Sequence, residues 1–106
     1  MARTFRVYVI ELDPAVLSDT RFRDANAHDG PKGCLYVGST AHSAEQRYEQ
    51  HKAGEFSQRG WVKRFGLGLR SDLAPTVEYS DRAVAEVAER SHAERLRQEG
   101  YAVWSR

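Results

Sequence analysis

Residues 5–12 read Phe-Arg-Val-Tyr-Val-Ile-Glu-Leu, with β-branched and aromatic side chains on both alternating faces. Such a run is a strand. With apolar side chains above and below, it needs cover on both sides, so it is a central strand of a layered fold. A chain of 106 residues has room for one such domain and a modest core.

The rest of the chain supplies the cover. Asp13-Pro14 reads as an N-cap followed by proline at the first helical position, which predicts a short helix from Ala15 to about Arg23. Asn26, Asp29, Gly30, Pro31 and Gly33 make residues 24–33 a loop. Cys34-Leu35-Tyr36-Val37 is a second strand, expected to end at Gly38. Ser43 with Gln46 three residues later forms a capping pattern, and Gly54 a stop, so a helix runs from Ala44 to Ala53. A further short helix is expected over Ser57 to Phe65, and a strand near Thr76-Val77-Glu78-Tyr79. Ser80 or Asp81 then caps a long helix whose apolar positions Val84, Val87, Ala88 and Leu96 keep helical spacing. Gly100 ends it, and Tyr101-Ala102-Val103-Trp104 adds a last strand. The expected class is α+β, a small, mainly antiparallel sheet flanked by helices, in a single domain over 1–106.

Charge and cysteine usage narrow the function. Cys34 is the single cysteine, so no internal disulfide forms and a reducing, cytoplasmic setting is expected. No apolar run approaches the roughly 20 residues of a membrane span. Cys34, His28, His42 and His92 match no zinc-ligand spacing. The net charge of +1 gives no general affinity for nucleic acid, so any footprint must be local. Residues 47–70 provide one: Arg47, Lys52, Arg59, Lys63, Arg64 and Arg70 stand against only Glu49 and Glu55. Lys52, Arg59, Lys63, Arg64 and Arg70 are therefore expected to track a phosphate backbone. Trp61 and Phe65, interleaved with them, read as core packing of a short helix.

Three features carry chemistry. Tyr8 and Tyr36 lie on the first two strands, and Arg47 and His51 stand four apart on one helix face. Glu89 sits inside the long helix, with Glu86 and Glu94 as competing carboxylates. Taken singly these are packed strand tyrosines, a solvated helix face and a surface charge.

Together they resemble the GIY-YIG nuclease superfamily. Arg6-Val7-Tyr8 stands for the first half-motif and Tyr36-Val37-Gly38 for the second. Ser39-Thr40 follows, then Gln46-Arg47-Tyr48-Glu49-Gln50-His51 and, further on, Ala88-Glu89. The resemblance implies a metal-dependent endonuclease that hydrolyses DNA phosphodiester bonds. Glu89 would hold Mg²⁺, with Mn²⁺ as a substitute, and one of Tyr8 or Tyr36 would take a proton from the attacking water. Arg47 would stabilise phosphoryl charge, and His51 would orient or deprotonate the tyrosine. Cutting both strands would call on two cuts or on a homodimer. The chain departs from the family pattern at Arg6, where the motif has glycine, and at Val37 in place of isoleucine. The only asparagine is Asn26, so the family's asparagine after the glutamate has no match. The long gap between the tyrosines marks residues 13–33 as an insertion, expected at the periphery. These departures leave a second reading, a nucleic-acid-binding module of the same fold without turnover.

Overall fold

The computed structural model describes residues 3–54 and 60–105. Strand β1 (Phe5–Leu12) is central, as its two apolar faces require. It pairs antiparallel with β2 (Gly33–Thr40) on one side. On the other side it pairs antiparallel with β3 (Gly66–Leu69) and, further along, with the two-residue β4 (Glu78–Tyr79). Strand β5 (Tyr101–Ser105) lies parallel to β2, so the five-stranded sheet runs β3-β1-β2-β5 with β4 beside β1. The α+β architecture with a mostly antiparallel sheet is the expected one.

Alternation along β1 and β2 divides the core into two layers. Val7, Val9, Leu35 and Val37 face α4 (Arg82–Gln98), meeting Ala93 and Leu96. Tyr8, Ile10, Leu12, Cys34 and Tyr36 face the opposite way. There they are covered by a 3-10 helix (Pro14–Ser18), α1 (Thr20–Asp24), α2 (Ala44–Lys52) and α3 (Trp61–Phe65).

Caps account for the helix starts. Asp13 accepts a hydrogen bond from Ala15 N at 2.9 Å, Ser43 Oγ from Gln46 N at 3.1 Å, and Asp81 from Ala83 N at 2.7 Å. Asp19 interrupts the helix expected over 15–23, because its carboxylate accepts from Arg21 N and starts α1 afresh. The helix expected over Ser57–Phe65 is described only from Trp61, its first residues lying outside the described ones.

Three expectations are corrected. Strand β2 does not end at Gly38 but continues to Thr40, because Gly38 is the cross-strand partner of Tyr8 in the middle of the ladder. Val84 and Val87 do not face the core; they are 52% and 57% exposed. The buried stripe of α4 is instead Ala85, Glu89, Ala93 and Leu96, whose small alanines let the helix lie close to the sheet. Residues 13–33 are not peripheral. Val16 and Phe22 are fully buried, and Phe22 packs edge-on against Trp61 and stacks on Trp104, with centroids at 5.6 and 6.2 Å.

Candidate active site

The residues around Gly38 are set by the pairing of β1 and β2. Tyr8 stands opposite Gly38, and its ring lies flat across the space where another residue would carry a side chain. A Cβ on Gly38 would fall 2.3 Å from the Tyr8 hydroxyl and 2.5 Å from its Cζ. The glycine of the Tyr-Val-Gly segment is thus a seat for the first tyrosine. From that seat the Tyr8 hydroxyl reaches His51 Nε2 at 2.9 Å in a buried hydrogen bond. Tyr36 completes the cluster, stacked at 6.3 Å from Tyr8 and edge-on to His51 at 5.1 Å. His51 is 1% exposed, held there because α2 turns its last residues onto the sheet.

Arg47 lies one turn before His51 on α2 and is half-buried, with its guanidinium 3.4 Å from Gln50 Oε1. Tyr8, Tyr36 and His51 form one cluster, and Arg47 approaches from the same helix. Tyr8 also lines a groove of about 230 Å³ along the edge of β1 between β3 and β4, together with Arg6, Ala44, Leu69 and Arg70. Arg6 ties β1 to its neighbours. It donates to the His42 carbonyl and forms an ion pair with Glu78 at 2.9 Å.

Glu89 belongs to the helix on the other face of the sheet. It is 3% exposed and lines a polar cavity of about 160 Å³ with Ser39, Arg82, Glu86 and Arg90. Ser39 follows Gly38 directly, but strand alternation turns it to the α4 face, so the cavity and the tyrosine cluster lie on opposite faces of the sheet. Of the competing carboxylates, Glu86 shares the cavity. Glu94 lies elsewhere, exposed and 3.4 Å from Arg97. Among the described residues no three His, Cys, Asp or Glu side chains converge. A divalent ion here would draw on Glu89 with Glu86, and complete its shell with water and phosphate oxygens, as Mg²⁺ commonly does. The carboxylate oxygens suit a hard cation, while Arg82 and Arg90 in the same cavity oppose one that arrives without an anion.

The basic residues of the 47–70 segment fare differently from one another. Lys63 and Arg64 are exposed, Arg64 lying 5.2 Å from the Trp61 ring centroid and 5.1 Å from that of Phe65. Lys52 Nζ donates to the Gly66 carbonyl at 3.1 Å and pins α2 to the start of β3. Arg70 is matched by Asp72 in a two-pronged contact at 2.9 and 3.0 Å, which lowers the Asp72 carboxyl below its usual range and raises the guanidinium above its own. Arg59 lies outside the described residues.

Other titratable groups serve the fold. His28 donates from Nε2 to the Arg97 carbonyl at 2.7 Å and accepts from Gly30 N at Nδ1, which fixes its tautomer. His92 donates to the Leu73 carbonyl at 2.6 Å. Burial pushes the Cys34 thiol up to about 11, so it is a packing group. Asn26 Oδ1 accepts from Val103 N at 2.8 Å and Arg97 Nε at 3.1 Å, a structural duty that ties the loop before β2 to β5. Ser39, Arg82 and Arg90 went unremarked as site residues in the sequence, although the four-residue spacing of Arg82, Glu86 and Arg90 is legible there. Comparison with family models, with curated proteins and with solved structures found no match for the chain.

Proposed function

We propose that this chain is a Mg²⁺-dependent endonuclease domain that hydrolyses DNA phosphodiester bonds in the cytoplasm. The observation that carries the reading is the buried hydrogen bond between the Tyr8 hydroxyl and His51 Nε2. A phenol with an ordinary pKa of about 10 is a poor base at neutral pH. An imidazole at its hydroxyl changes that: Nε2 takes the phenolic proton as the phenolic oxygen takes one from water, so no free phenolate has to persist. Tyr36 packs both rings and holds the pair in register. Arg47, on the same helix, offers a planar guanidinium to the phosphoryl oxygens as charge develops on them. Glu89, with Glu86, would hold the divalent ion, which when bound polarises the phosphoryl group and eases departure of the leaving oxygen. Lys63 and Arg64 would follow the backbone away from the cut.

A second reading, a binding module without turnover, draws on the burial of the tyrosines, 1% and 2% exposed. Plasmid nicking with Mg²⁺ or Mn²⁺ separates the two, and three carboxylate variants make it specific. Glu89→Gln is close to isosteric but a poor ligand for a hard cation, so cleavage should vanish while the fold persists. Glu86→Gln should lose part of the activity and Glu94→Gln none. Cleavage by Glu89→Gln at the wild-type rate would sink the metal assignment, and no nicking by the wild type under any condition would favour the binding module.

A further inference from the structure

Residues Arg82, Glu86 and Arg90 stand at four-residue intervals on α4, the spacing at which Arg and Glu side chains ordinarily close into ion pairs. Towards the end of the helix ion pairs do close, Arg95 with Glu99 four residues on at 3.5 Å and Arg97 with Glu94 three residues back at 3.4 Å. Arg82, Glu86 and Arg90 make no ion pair among the described residues. Their side chains instead surround the cavity of about 160 Å³ that Ser39 and Glu89 complete. Arg82 is steadied from outside, its guanidinium 5.1 Å from the Phe5 ring centroid.

The charge content of this cavity selects its occupant. Two guanidinium groups oppose two carboxylates, so a lone cation meets the arginines and a lone anion meets the glutamates. A phosphate carrying its divalent ion satisfies both signs at once: the ion takes the carboxylates, and the phosphate oxygens take the guanidinium forks and the Ser39 hydroxyl. The space suffices for a phosphate group and several waters. We infer that Ser39, Arg82 and Arg90 form a phosphate subsite beside Glu86 and Glu89, which binds a nucleic-acid phosphate together with its divalent ion. The inference rests on the nuclease reading for the identity of the ligand, but its chemistry is testable apart from cleavage. It moves the main grip on the substrate from the 47–70 segment to the first three turns of α4.

The probe is inorganic phosphate, titrated into the full chain with and without Mg²⁺ and followed by amide chemical shifts. The expected result is saturable movement of the Ser39, Glu86 and Arg90 amides, at least tenfold tighter with Mg²⁺ than without. Replacing both exposed arginines, Arg82→Gln with Arg90→Gln, should abolish that response while the melting temperature stays within a few degrees. The same variant should raise KM for a DNA oligonucleotide at least tenfold with a smaller change in kcat. Phosphate shifts that fall on Lys63 and Arg64 instead, or shifts equally strong without Mg²⁺, overturn the subsite. Cleavage by the wild type with an unchanged KM in the double variant overturns the subsite and leaves the nuclease reading intact. Magnesium-dependent phosphate binding in a chain that cuts no DNA supports the subsite and removes the nuclease reading.

Discussion

Replacing Gly38 by alanine tests the contact on which the tyrosine cluster is built. The new methyl carbon would arrive 2.3 Å from the Tyr8 hydroxyl, over 1 Å inside ordinary van der Waals contact. The obstacle is a rigid ring that is 1% exposed and pinned between Tyr36 and His51, so the strain cannot be relieved by a swinging chain end. Overpacking of this kind costs about 1–3 kcal/mol. If the ring moves, the buried hydrogen bond to His51 breaks at a further cost of about 1–3 kcal/mol. The expected loss is therefore roughly 2–6 kcal/mol, or roughly 8–48 °C in melting temperature at about 4–8 °C per kcal/mol for a domain of this size. Thermal and urea melts measure it. A double-mutant cycle assigns it, because in a Tyr8→Ala background the same Gly38→Ala change meets no ring and should cost under about 1 kcal/mol. Equal costs in both backgrounds would refute the argument that Gly38 exists to seat Tyr8.

The other expectations concern the core, the thiol and the substrate surface. Phe22→Ala should cost about 3–5 kcal/mol in urea melts, whereas the exposed Arg23→Ala should stay within about 0.5 kcal/mol; a small loss at Phe22 would return residues 13–33 to the periphery. Cys34 should resist thiol reagents in the native protein and react on unfolding. Because its folded pKa is raised from 9.0 to about 11, the unfolded chain ionises first and stability should fall as pH climbs through that window. Rapid labelling of the native thiol at neutral pH would contradict this. Lys63→Ala with Arg64→Ala should weaken DNA binding across sequences and reduce its salt slope by up to about two units, while an unchanged slope would place the contact surface elsewhere.

What the sequence showed, and what it hid, follows from which physical signals are local. Strand β1, the Ser43 and Asp13 caps and the stop at Gly100 were legible because propensity and capping act over a few residues. Strand β3 was missed: Gly-Leu-Gly-Leu has no β-branched residue, and only the neighbouring edge of β1 makes it a strand. The burying face of α4 was misjudged because Val84 and Val87 are the conspicuous apolar residues, while alanine and a glutamate do the packing. Residues 13–33 looked detachable because loops rich in Gly, Pro and Asn read as surface, yet Phe22 at the centre of that stretch fills the core. The tyrosines and His51 could be nominated only through a motif resemblance, and their contact depends on cross-strand register, which single-chain periodicity does not contain. Burial separated Glu89 from Glu94, and no local feature of the helix could have done so.

The placement of β5 bears on how the molecule is made. Of the described elements it emerges from the ribosome last, yet it covers the outer edge of β2 and delivers Trp104 against Phe22 and Trp61. Its own outward groups are then clasped by side chains translated earlier, the Val103 N–H by Asn26 and the Val103 carbonyl by Arg97 at 3.0 Å. Until residues 101–105 are released, a nascent chain therefore carries an open strand edge and uncovered aromatic rings, the two features that invite aggregation. A chain stalled a few residues short of Ser105 would keep that edge and those rings uncovered, and so would be a substrate for chaperones rather than a slightly weakened fold.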